Sequence, residues 1–275
     1  MYSRVLAWLI ISVGVAAAQT DSPATPVSDI FNTDLAFSPQ AASSATNSYV
    51  IAHFPFRQGW STRVLLANSG TSAASVTITF FDQSGHSTSV PLDGLGMQSS
   101  QTVTIQPKQV HVLGVDPSQR NSGSIQVAWA TASSNVPLNV FSLFDFGPNA
   151  PAISGAVGAQ SDTPAKTFRF PISVNGPLGF KAGMALANPN GSPTSVTVKV
   201  LNADGSTKGS FVENLPANGQ EIFVLGDPGG KLAFDTSLFN GSIAVCATQP
   251  IGLVTVGFEG SQAFFSTAVT NDPCP

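Results

Sequence analysis

Residues 65–85 read LLANSGTSAASVTITFFDQSG, and 185–205, at a constant offset, read ALANPNGSPTSVTVKVLNADG. The chain thus carries one pattern twice. Val76, Ile78 and Phe80 alternate with Thr77 and Thr79, as Val196, Val198 and Val200 alternate with Thr197 and Lys199. A period of two places the apolar side chains on one face of a strand and the polar ones on the other. Asp82-Gln83-Ser84-Gly85 and Asn202-Ala203-Asp204-Gly205 close the two copies with residues that favour tight reversals.

Outward from these blocks the match continues in unchanged order. His53-Phe54-Pro55-Phe56 returns as Arg169-Phe170-Pro171-Ile172, and Gly59-Trp60 as Gly179-Phe180. VHVLG (110–114) returns as IFVLG (222–226), GSIQVAW (123–129) as GSIAVCA (241–247), and PLNVFSLF (137–144) as PIGLVTVG (250–257). Internal duplication of this kind sets the architecture. Strand character in every matched block, with turn residues between, predicts an all-β chain of two tandem immunoglobulin-like β-sandwiches. The alternation places Val64 and Leu66 (Met184 and Leu186 in the second copy) on an inner face, together with Val110 and Val112 (Ile222 and Val224). It sends His111 to the outer face, and Trp129, which shares parity with Ile125 and Val127, to the inside.

The succession FPF–QGWSTRVLLANSG–SVTITFFDQSG–GSIQVAW–PLNVFSLFDF resembles a secreted bacterial immunoglobulin-like repeat module of acidobacterial type. The resemblance covers both repeats and is stronger in the first, since the second has Phe180 where the first has Trp60. It implies export and an immunoglobulin-like fold, and it carries no catalytic residue over to this chain.

The N-terminus agrees with export. Arg4 precedes an apolar run from Val5 to about Val15, and Ala16-Ala17-Ala18 offers small residues at a cleavage site, so residues 1–18 read as a signal peptide. The run is too short to span a bilayer, and no membrane span is expected in the mature chain. Residues 19–48 read as a flexible Ser/Thr/Pro/Ala-rich leader. Repeat 1 then occupies 49–158, a linker 159–166, and repeat 2 with its C-terminal tail 167–275. Secretion, or a periplasmic or cell-surface location, suits the cysteines, of which there are two. Cys246 alternates with Ile243 and Val245, so its side chain points to the opposite face, and a disulfide to Cys274 would pin the tail across that face. Closing such a loop contributes ~3.6 kcal/mol by the chain-entropy argument.

Charged residues make up only 9% of the 275, with net charge −4, while Ser and Thr number 34 and 22. Outward strand positions therefore carry hydroxyls and amides in place of charge. Scattered basic residues exclude a nucleic-acid footprint. The histidines, His53, His86 and His111, correspond to Arg169, Ser206 and Phe223, and none has metal-ligand spacing with another. No G-x-S-x-G elbow is present. The glutamates are Glu213, Glu221 and Glu259, and most aspartates accompany Gly or Pro in turns. These observations predict no catalytic residues, no metal and no cofactor. A cleft gathering His53, Asp145 or other acids would bring the enzyme reading back.

The expectation is a noncatalytic exported protein of structural, adhesive or surface-interaction type, with a protein or polysaccharide partner. The rival is a carbohydrate-binding module using exposed aromatics, for which Trp60 and Trp129 are the candidates, with Tyr49 the one other flat polar-edged ring beyond the signal. A secreted hydrolase stands third.

Overall fold

The structure, a computed structural model, describes residues 47–147, 155–160, 163–174, 180–225, 239–259, 263–266 and 274. The expected signal peptide, the expected leader as far as 46 and most of the C-terminal tail lie outside the described residues.

Alternating sequence becomes antiparallel sheet throughout. In the first half, β1 (Asn47–Phe56), β8 (Gln126–Ser134), β3 (Ala74–Phe81) and β6 (Ser100–Ile105) form one sheet in that order. A second sheet has the order β10 (Gly155–Gln160), β9 (Asn139–Phe146), β2 (Trp60–Ala67) and β7 (Val110–Gly114). A short hairpin, β4 (Val90–Leu92) with β5 (Gly96–Gln98), lies beside them. The two sheets enclose Ile51, Phe54, Val64, Leu66, Val76, Ile78, Phe80, Leu113 and Val140.

The second half repeats the plan. β14 (Thr207–Leu215), β13 (Thr194–Asn202) and β11 (Ala165–Val174) join the first part of the long strand β16 (Phe239–Glu259). β12 (Phe180–Ala187), β15 (Gln220–Leu225) and β17 (Ala263–Ser266) complete a layer with its later part. Between them lie Phe170, Met184, Leu186, Val196, Val198, Ile243 and Val245. The chain is all-β, as its period of two requires. β10 ends at Gln160 and β11 begins at Ala165.

The repeated Asn of the LLAN and ALAN blocks has a structural task in both copies. Asn68 is buried, and its Nδ2 donates to the carbonyls of Ser72 (2.8 Å) and Ile105 (3.0 Å) while its Oδ1 accepts from the Gly70 N–H. Asn188 does the same with Ser192 (2.9 Å), Pro216 (2.8 Å) and the Asn190 N–H. One amide therefore satisfies three backbone groups that a buried loop would otherwise strand. Asn68→Ala and Asn188→Ala are each expected to cost about 3 kcal/mol, from the orphaned carbonyls. Urea denaturation checks this, and a loss under about 1 kcal/mol in both would refute the clamp.

Two expectations about strand faces are corrected. Val110 and Val112 are exposed, whereas Leu113 and Val115 are buried and His111, on their side, is half-buried. Register decides this, since β7 sets Leu113 against the core residue Val64 and Val112 against the outward Leu65. β15 behaves alike, with Phe223 and Leu225 buried and Val224 exposed. Both strands are apolar on two faces, so alternation alone did not fix which faces in. Trp129 is buried, but not with Ile125, which is exposed. Ala128, Ala130 and Ala132 fill the core beside it, leaving Trp129 on the outer face of its sheet.

That outer face is covered by the second half. Trp129, Val50, Ala52, Phe144, Ala185, Ala187 and Val254 form a third apolar cluster, drawn from both repeats. The Trp129 Nε1–H donates to the Asn218 carbonyl (3.1 Å), and the Gln220 side chain donates to the Ala52 carbonyl (2.5 Å). The Gln220 N–H donates to the Gln83 carbonyl (2.9 Å). At the same seam Gly85 has φ +93°, and a Cβ there would lie 2.2 Å from the Ala217 carbonyl oxygen. Only glycine meets both demands.

Candidate functional site

Cys246 stands where the alternation put it. Cys246 is half-buried on the face opposite the core residues Ile243 and Val245, and it is bonded to Cys274 with Cα atoms 5.8 Å apart. Neither tryptophan offers an open platform. Trp129 is fully enclosed and stacks on Phe81 (ring centroids 4.8 Å apart), while Trp60 is half-buried against the same inter-repeat cluster and Phe146. Tyr49 is core, its hydroxyl accepting from the Leu138 N–H at 2.7 Å.

The turn aspartates are used locally. Asp82 accepts from the His86 N–H (2.9 Å) and the Ser84 hydroxyl (2.7 Å), and Asp204 from the Ser206 N–H (2.9 Å). These contacts hold both carboxyls below their ordinary pKa against a raising effect of desolvation. His53 packs on Phe144 with ring centroids 5.7 Å apart. Its Nδ1 is buried without a partner, and burial pushes its pKa down to about 4, so the ring is neutral at neutral pH.

The concave site is elsewhere, on the outer face of the β10-β9-β2-β7 sheet. Pairing register lays out that face in rows. Val112, Leu65 and Phe141 form one row across β7, β2 and β9; Gly114, Arg63 and Leu143 form the next; Ser61 and Asp145 follow. A Cβ at Gly114 would stand 3.2 Å from Arg63 Cγ, so the glycine lets the arginine stem lie across the edge strand. A cavity of about 540 Å3 opens along β7, lined among others by Arg63, Leu95, Val112, Arg120 and Asp145.

Backbone geometry brings Arg120 there. After β7 the Val115 N–H donates to the Thr62 carbonyl, and Asp116 caps a 3-10 turn, Pro117–Gln119, by accepting from the Ser118 N–H. Arg120 ends that turn, and its carbonyl accepts from the Gly59 N–H at 2.9 Å. Gln58 and Gly59 have φ of 48° and 88°, the signs a primed reversal needs, and this turn carries β1 into β2. Arg120 and Asp145 are both buried and ion-paired, and Arg63 Nη2 pairs with the other Asp145 oxygen at 3.2 Å. Burial, then the neighbouring Arg63 charge, lowers the Arg120 pKa from its ordinary value. Two guanidiniums thus share one carboxylate.

Comparison with family models, curated proteins and solved structures finds no match for this chain.

The chemistry must therefore be read from the site alone. Ser61, His111 and Asp145 all line the cavity, yet no hydrogen bond joins His111 to either of the others. His53 is not among the lining residues. Among the described residues no three of His, Cys, Asp and Glu gather where they could hold a metal ion. Nor is any helix there long and apolar enough to cross a membrane. Sequence reasoning missed Arg63 and Arg120. A signal for Arg63 and Asp145 was present, since both fall at outward parity on strands that pair. The second copy has Gly183 and Phe258 at their places.

Proposed function

We propose that the chain is a noncatalytic exported interaction protein that presents the outer face of the β10-β9-β2-β7 sheet to a partner. The observation that carries this reading is the make-up of that face. Val112 and Phe141 are 47% and 40% exposed on either side of Leu65, and Leu95 and Met97 of the β4–β5 hairpin are also exposed. Beside them stands the Arg63–Asp145–Arg120 cluster. An apolar centre flanked by arginine is the make-up of a recognition surface. The outer face of β3 and β6 shows the contrast, a hydroxyl ladder of Thr77 with Thr102 and Thr79 with Ser100.

Export is supported by the N-terminal pattern and by the Cys246–Cys274 bond. The antiparallel two-layer plan of each half supports the immunoglobulin-like reading. Trp129 is enclosed in the inter-repeat cluster and Trp60 is half-buried against it, which weighs against the sugar-platform alternative.

The test is capture from envelope and culture fractions of the source organism with the immobilised chain, compared with a Val112→Ser/Phe141→Ser variant. Both substitutions fall on exposed positions, so the fold should persist. The expected result is a discrete protein or polysaccharide partner retained by the parent chain and lost by the variant. Equal capture by both, or capture by neither, would overturn the reading.

A further inference from the structure

We propose that the cavity beside β7 is a binding site for an organic carboxylate, whose acid group pairs with the Arg63 and Arg120 guanidiniums while its body lies on Leu95, Val112 and Pro117. The inference rests on the binding role above and names the chemistry of what is bound.

The charge arrangement carries it first. The cavity floor holds two cations and one anion, for Asp145 is the sole carboxylate paired with Arg63 or Arg120 among the described residues. Each guanidinium has five N–H donors, and a single Asp145 oxygen faces each. Arg120 Nε is buried and has no partner in the protein. The Arg63 side chain is 35% exposed, so its remaining donors are within reach of a ligand entering the cavity. Asp93 also lines the cavity, but it is exposed and pairs with neither arginine. A second carboxylate would restore balance on the floor, and planar carboxylates match the guanidinium fork.

The cavity's shape supplies the second observation. About 540 Å3 suits a ligand of sugar or small-acid size, and its wall is apolar where Leu95, Val112 and Pro117 stand. A bare inorganic anion would leave that wall uncovered. The third is the duplication itself. The second half builds the same sheet with Gly183 and Phe258 in place of Arg63 and Asp145, so the fold does not demand this cluster.

The same carboxylate chemistry has two sources, a free small acid and a uronate residue of an acidic polysaccharide. Calorimetric titration of the full chain with phenylacetate, galacturonate and polygalacturonate, and with galactose as the uncharged control, separates them. The expected result is saturable binding of at least one acid, none of galactose, and at least tenfold weaker binding in Arg63→Gln with partial recovery in Arg63→Lys. Response to phenylacetate alone assigns the free acid; response to galacturonate or its polymer alone assigns the polysaccharide; response to both supports the shared chemistry. Leu95→Glu, at an exposed position, sets a like charge at the wall and should also weaken binding tenfold, which keeps the test valid if an Arg63 variant fails to fold. Saturation by no acid, equal binding of galactose, or unchanged affinity in both Arg63→Gln and Leu95→Glu overturns the proposal. If the acids fail while Val112→Ser/Phe141→Ser still abolishes partner capture, the carboxylate assignment falls and the binding role stands.

Discussion

Trp129→Ala is expected to destabilise the chain by about 4 kcal/mol, in the range of fully buried aromatics truncated to alanine. The indole is wholly enclosed, lies nearly parallel to Phe81 (22°), and touches a cluster drawn from both halves. Its removal opens a cavity at a seam that neither half closes alone. It also orphans the Asn218 carbonyl that accepts the Nε1–H. Trp129→Phe keeps much of the area but loses that hydrogen bond, and should cost about 2 kcal/mol. Because the two halves share the cluster, the effect should be felt on both sides of it. Amides of β1 and β8 in the first half and β12 in the second should exchange faster together. Urea denaturation with hydrogen exchange checks both points. A loss below 1 kcal/mol, or faster exchange confined to the first half, would mean that the seam does not couple the repeats.

The same residue shows how far the sequence could be read. Strand identity and the two cores were legible, because Val76, Ile78 and Phe80 alternate with Thr77 and Thr79, and Val196, Val198 and Val200 with Thr197 and Lys199, on their own strands. Alternation stopped being informative where a strand is apolar on both faces. Val110 to Leu113 in β7 and Phe223 to Leu225 in β15 are such strands, and only pairing with β2 and β12 selects the inward set. Trp129 has this ambiguity in sharper form. Its strand carries small alanines toward the core and the tryptophan away from it, which makes sense only once the second repeat is seen to cover that face. The disulfide was legible, since the parity of Cys246 and the export context both pointed to it. The candidate site was half legible. Arg63 and Asp145 sit at outward parity on paired strands, but Arg120 arrives through a 3-10 turn whose path no periodicity encodes.

Asp145→Ala carries the other large expectation, a loss of about 4 kcal/mol, since breaking a buried ion cluster leaves charge without compensation. Arg120 is the group left stranded. It is buried, its pKa is already lowered by burial and by Arg63, and Asp145 is the one anion it pairs with among the described residues. Arg63→Gln should cost far less, because that side chain is partly exposed and water can replace the lost contact. The informative variant is Asp145→Leu/Arg120→Met, which replaces the buried pair with apolar groups of similar volume. If the cluster is a costly arrangement kept for binding, the double variant should recover most of the stability lost in Asp145→Ala, while carboxylate titration stays silent. Additive losses in a double-mutant cycle built from these substitutions would show instead that the two residues act independently. The second repeat already points to the first outcome, since it builds the equivalent strand pair with Gly183 and Phe258. An arginine and an aspartate that the second copy of this strand pair replaces with Gly183 and Phe258 are better explained by what they hold than by the sheet that holds them.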